Sequence, residues 1–104
     1  MEENNVKQLV EASKRGNEDA FHELYNILNQ PIFGFVVART NSRDDAKDVL
    51  QSVFVDVWRA LPKFSYSSDR EMYSFVYKIA RRKLARYYQK RTKTVEYTEE
   101  HMKE

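Results

Sequence analysis

The sequence predicts an all-α protein, a compact helical bundle of three main helices plus a shorter N-terminal helix. Three observations carry this expectation. Apolar residues recur at spacings of three and four through most of the chain, the repeat of helices with one buried face. Only two Gly and two Pro interrupt 104 residues, which leaves few of the turns that hairpins need. A Ser or Asn followed closely by an acidic residue stands ahead of each of the last three periodic runs, the pattern of helix N-termini.

Taken in order, Val6, Leu9 and Val10 predict a short amphipathic helix from about Asn5 to Arg15, with Gly16 where a left-handed terminating residue belongs. Asn17 caps the next helix, and Glu18 and Asp19 sit favourably in its first turn. Phe21, Leu24, Tyr25, Leu28, Ile32, Phe35 and Val36 keep the helical repeat to about Arg39. Pro31 lies inside that run, so the helix either kinks or ends and restarts there. The unbroken apolar phase at Ile32 favours one kinked helix.

The third run organises the chain. Ala46, Val49, Leu50, Val53, Phe54, Val57, Trp58 and Leu61 form its buried face, Ser42 with Asp45 has the form of a capping box, and Pro62 stops it. Its other face carries Asp44, Asp48, Gln51, Ser52 and Asp56, polar groups available to something outside the domain. Lys63 to Asp69 is the one sizeable loop, polar but holding Phe64 and Tyr66. Ser68 with Glu71 makes a second capping box, opening a helix from about Asp69 to Lys90 or further. Met72, Phe75, Val76, Ile79, Ala80 and Leu84 are its inner stripe, and Phe75 is expected in the core with Phe64 at least partly so. From Thr94 to Glu104 the periodicity is lost and the chain turns acidic, so residues 1–93 are expected to form the domain and 94–104 a fraying tail or the start of a linker.

Composition narrows the function. With 41% hydrophobic and 33% charged residues the chain fits one globular domain and not a disordered segment. Cysteine is absent, which removes disulfides, thiolate chemistry and Cys-based zinc sites. No apolar run is long enough to cross a bilayer and the start is no signal peptide, so a cytoplasmic location with no membrane partner is expected. His22 and His101 have no second ligand at metal-binding spacing, no P-loop, dinucleotide fingerprint or nucleophile elbow is present, and Asp44 and Asp45 answer the helix dipole. Neither an enzyme nor a resident cofactor is expected.

Charge is uneven along the chain. Residues 1–71 hold nine Lys/Arg against twelve Asp/Glu, and residues 72–104 hold nine against four. Between Lys78 and Lys93 eight basic residues meet no acidic one. Such a block in a folded segment fits a polyanion partner or a plain solvated helix. Tyr73 and Tyr77 interleave with it, and the loop aromatics Phe64 and Tyr66 lead straight into it. Cationic tracks with aromatic faces hold single-stranded nucleic acid, each stacked base contributing roughly 1–3 kcal/mol.

Three segments carry a family resemblance. Asp45-Ala46-Lys47-Asp48-Val49-Leu50-Gln51-Ser52-Val53-Phe54-Val55-Asp56-Val57-Trp58 resembles the region-two motif of bacterial sigma factors of the extracytoplasmic-function type. Upstream, Asp19-Ala20-Phe21-His22-Glu23-Leu24-Tyr25 is similar to that family's opening helix, and Phe75-Val76-Tyr77-Lys78-Ile79-Ala80-Arg81 to its later Trp-Leu-Tyr-Arg-Ile-Ala-Arg segment. The resemblance covers about residues 17–93. It implies a domain that binds the clamp helices of the RNA polymerase largest subunit and melts and reads the promoter minus-ten element. By position, Asp44, Asp48, Gln51, Ser52 and Val55 would contact polymerase. The loop carrying Phe64, Tyr66, Ser67 and Ser68 would hold a flipped base of the non-template strand, and Arg70, Tyr73, Tyr77, Lys78, Arg81 and Arg82 would contact DNA. An anti-sigma factor is a further partner the resemblance allows.

The departures are Ser52 for the family's Glu, Phe75 for its Trp, Arg82 for its Asn and Arg86 for a later acidic residue. The region-four helix-turn-helix that reads the minus-thirty-five element is expected on an excised part or on another protein. Two rival functions fit the same residues: a helical protein-interaction module that binds polymerase or an anti-sigma factor without reading promoters, and a general basic single-strand binder.

Overall fold

A computed structural model of the chain describes residues 5–103, with side chains described through Arg91. The elements in order are α1 (Asn5–Lys14), α2 (Glu18–Val37), α3 (Arg43–Ala60), a 3-10 turn at Leu61–Lys63 and α4 (Asp69–Lys103). Three long helices and a short one form an all-α bundle, with no strand among the described residues.

The helix starts follow their local chemistry. Asn17 Oδ1 accepts the Ala20 N–H at 3.0 Å, Ser42 Oγ accepts that of Asp45 at 3.0 Å, and Ser68 Oγ accepts that of Glu71 at 3.1 Å. Each satisfies a donor that has no partner inside its own helix. α1 ends at Gly16, whose φ of 92° is the left-handed conformation that a side chain would strain.

α2 runs through Pro31 without a break. Proline costs an interior helix about 3 kcal/mol, and burial on either side offsets that loss. Leu24, Leu28, Ile32 and Val36, four residues apart, are fully buried and keep one phase across Pro31. The core adds Val6, Leu9 and Val10 of α1, Ala46, Val49, Leu50, Val53, Phe54 and Val57 of α3, and Leu61 of the turn. α4 closes it with Met72, Val76, Ile79, Ala80 and Leu84.

Several apolar residues lie at the rim of this core and not in it. Phe75, expected inside, is half-buried, as are Phe21, Tyr25, Phe35 and Trp58. These large rings splay from the stripe edges and pair edge to face, Phe21 with Trp58 at 4.8 Å and Tyr25 with Phe54 at 4.6 Å. α4 also outlasts its apolar stripe. It stays helical to Lys103, beyond the change of pattern at Thr94. No Gly or Pro follows Pro62, and Glu, Lys and Met are good helix formers, so nothing local ends the helix where its packing face does. The side chains of Glu96, Glu99 and Glu100 lie outside the described residues.

Candidate nucleic-acid interface

α4 lies against α2 on one flank and α3 on the other, and this sorts its polar residues. At about 100° per residue, Arg70, Tyr73, Tyr77 and Arg81 share the α2 flank, where Tyr77 meets Phe35 edge to face at 5.0 Å. Lys83, Arg86 and Lys90 share the α3 flank, where Lys83 Nζ pairs with Asp56 Oδ2 at 2.8 Å. Lys78 and Arg82 point outward between the two and are exposed. Arg70, Lys78, Arg81, Arg82 and Arg86 make no ion pair with any described residue. Unpaired, solvated cations on a rigid helix are available to phosphates.

The loop before α4 is anchored along its length. The Phe64 N–H donates to the Leu61 carbonyl at 2.9 Å, and its ring stacks on Phe75 at 4.5 Å. Lys14 Nζ, fifty residues upstream, donates to the Phe64 carbonyl. The Tyr66 hydroxyl donates to Asp69 Oδ1. That bond, then partial burial and the nearby Asp69 charge, raises the Tyr66 hydroxyl above its ordinary pKa of 10.0. Tyr73 is raised too, chiefly by burial and then by Asp69 and Tyr77. Ser68 caps α4, so Ser65 and Ser67 are the exposed members of the segment. One face of Phe64 is covered by Phe75, which leaves at most the other for a base.

The face of α3 expected to meet a protein partner is divided between two grooves. Gln51 and Val55 line a groove between α2 and α3 of about 930 Å³, with Phe21, Tyr25 and Trp58 along its wall and Glu18 and Asp19 at its rim. Val55 is 43% exposed, a β-branched apolar residue offered to solvent on a helix whose other valines are buried. Asp48 and Ser52 line a different groove, between α3 and α4, opposite Lys83, Arg86 and Lys90. Asp44 is exposed at the first turn of α3, outside both grooves. The five residues therefore do not form one patch.

Asp45 is drawn elsewhere. Its carboxylate accepts the Tyr87 hydroxyl at 2.7 Å and lies 3.8 Å from Arg91, so it does not close the reciprocal half of a capping box. Sequence reasoning passed over this junction and the Lys14 contact alike. Partners separated by more than forty positions leave no periodic signal. Among the described residues no three His, Cys, Asp or Glu gather as metal ligands, and no described helix is long and apolar enough to cross a membrane.

The chain is thus a helical domain with an aromatic-lined groove between α2 and α3 and, among the described residues, five α4 cations that make no ion pair. Residues 24–94 match the family model for sigma-70 region 2, and the chain belongs to that family. It is similar to the RNA polymerase sigma-H factor of Pseudomonas aeruginosa, 35% identical over 74 residues, covering 71% of this chain and 37% of that protein. The chain thus spans little more than a third of the length of this relative. No solved structure matches it. Its architecture is that of a sigma-factor transcription domain, and domains of this family are not catalytic.

Proposed function

We propose that this domain is region two of an extracytoplasmic-function sigma factor, working in the cytoplasm on RNA polymerase and promoter DNA. The α2–α3 groove and the exposed α3 residues dock on the clamp helices of the polymerase largest subunit. Gln51 and Val55 are central to the contact, with Asp44, Asp48 and Ser52 flanking it. The Phe64–Asp69 loop and Arg70, Tyr73, Tyr77, Lys78, Arg81 and Arg82 take the unpaired non-template strand of the minus-ten element. The observation that carries the reading is the separation of two chemistries on one bundle, an aromatic groove with Glu18 and Asp19 at its rim and a helix on which Arg70, Lys78, Arg81, Arg82 and Arg86 make no ion pair with any described residue.

The work is binding energy alone. Flipping a base out of a duplex costs a few kcal/mol. Phosphate contacts and the release of counterions offset that cost, and the anchored loop meets the base without first having to order itself. The test is binding of the chain to a purified clamp-helix fragment, with Val55→Arg as the variant. Loss of binding in the variant supports the assignment. A folded wild-type chain that does not bind the fragment at low salt sinks it.

A second reading, a module that binds polymerase or an anti-sigma factor without reading promoters, draws on the internal partners of Phe64 and Tyr66. It predicts that Arg81→Glu leaves every function of the domain intact. The first reading predicts loss of promoter melting with polymerase binding retained.

A further inference from the structure

We propose that Lys14 is a positioning residue for the Phe64–Ser68 loop, which makes α1 part of the single-strand site although it lies outside the matched family segment. The purpose of this anchor rests on the reading of that loop as the base-holding element.

The end of α1 is fixed by its own backbone. The Asn17 N–H donates to the Ala12 carbonyl at 3.1 Å and the Gly16 N–H to that of Ser13 at 2.9 Å, the paired bonds of a Schellman motif. Gly16 at φ 92° makes that closure possible. Lys14 is the last residue of the helix thus ended. Val6, Leu9 and Val10 bury α1 against the rest of the bundle, so Lys14 projects from a fixed base. Its half-buried side chain donates to the Phe64 carbonyl at 2.5 Å. An ammonium on a carbonyl is a charge-assisted bond, stronger than a neutral one.

Phe64 is thereby held at three atoms groups: its N–H by Leu61, its ring by Phe75 and its carbonyl by Lys14. The next anchors lie at Tyr66 and Ser68. The carbonyl of Phe64 belongs to the peptide unit that leads into exposed Ser65, so the Lys14 bond sets the plane from which the free part of the loop departs. Without it, the loop would have to order when the strand arrives, and binding would carry that entropy cost.

The test compares the wild-type chain with Lys14→Met, which keeps the aliphatic stem, and Lys14→Arg, which keeps a donor. Amide hydrogen exchange is followed first, without nucleic acid. We expect exchange of the Phe64 amide, which donates to the Leu61 carbonyl, to quicken roughly tenfold in Lys14→Met, the loss of one hydrogen bond to a charged group. Exchange in α3 should be unchanged, and Lys14→Arg should restore the loop. Affinity for fluorescein-labelled single-stranded DNA of randomised sequence should then fall in Lys14→Met with the same salt dependence. A residue that itself touched a phosphate would instead lower the slope by about 0.7. Unchanged loop exchange, or a reduced salt slope, overturns the positioning role. Altered exchange in a chain that binds no DNA in any form would leave the anchor in place and overturn the single-strand reading.

Discussion

The Tyr87 hydroxyl donates to the Asp45 carboxylate at 2.7 Å and accepts the Asn41 N–H at 2.9 Å, so one phenol ties α4 to the turn that opens α3. Arg91 lies over the Tyr87 ring at 5.8 Å, and the Tyr88 hydroxyl donates to the Arg39 carbonyl. α4 and α3 are therefore joined at a polar junction as well as through the core.

Replacing Tyr87 by Phe removes both bonds and leaves the ring. The bond to a carboxylate contributes about 1.5–3 kcal/mol where water is excluded, and this junction is partly open, so a loss of about 1–2 kcal/mol is expected. Urea unfolding of Tyr87→Phe measures it. A midpoint equal to that of wild type would show the junction to be energetically idle.

Ser13 is 3% exposed, and its hydroxyl has no hydrogen-bond partner among the described residues. A buried polar group left unpaired costs about 1–3 kcal/mol, and alanine is the better helix former. Ser13→Ala should raise stability by about 1 kcal/mol, read as a higher thermal midpoint. A lower midpoint would mean that the hydroxyl is satisfied after all.

Alkaline pH should loosen the loop. The raised Tyr66 and Tyr73 hydroxyls favour the folded state while protonated. Their contribution is complete below the unfolded value of 10.0 and is lost as pH rises through the higher folded values. Stability followed through this range should fall less steeply in Tyr66→Phe, which cannot form a phenolate beside Asp69. Identical alkaline profiles would contradict the Tyr66–Asp69 bond.

If Arg81 and Arg82 each neutralise a phosphate, Arg81→Ala with Arg82→Ala should weaken single-strand binding and flatten its salt dependence by about 1.4 in the log–log slope. Fluorescence anisotropy across a salt series reads both quantities. Weaker binding with an unchanged slope would assign the two residues to folding or loop order, not to phosphate contact.

Much of this was legible in the residues. The spacing of Leu24, Leu28, Ile32 and Val36 carried α2 through Pro31, and Ser42 and Ser68 marked their helix starts, because periodicity and capping are local properties. The loop and the basic run of α4 were visible as composition. The grouping of α3 side chains was not. Gln51 and Asp48 lie three residues apart on one helix, yet one lines the α2 groove and the other the α4 groove. That assignment depends on where the neighbouring helices pack.

By itself, the sequence determined an all-α chain, its helix starts, its core stripes and the segregation of positive charge, all consequences of spacing and residue type within one helix. Only the tertiary structure decided which charges are already engaged, as in Asp56 with Lys83 and Asp45 with Tyr87, and which make no ion pair with a described residue, as in Arg81 and Arg82. It also brought Lys14 to Phe64. The physical reason is that a pairing across fifty residues is set by how the apolar faces dock. Side chains on the helix edges then meet whatever that docking places beside them.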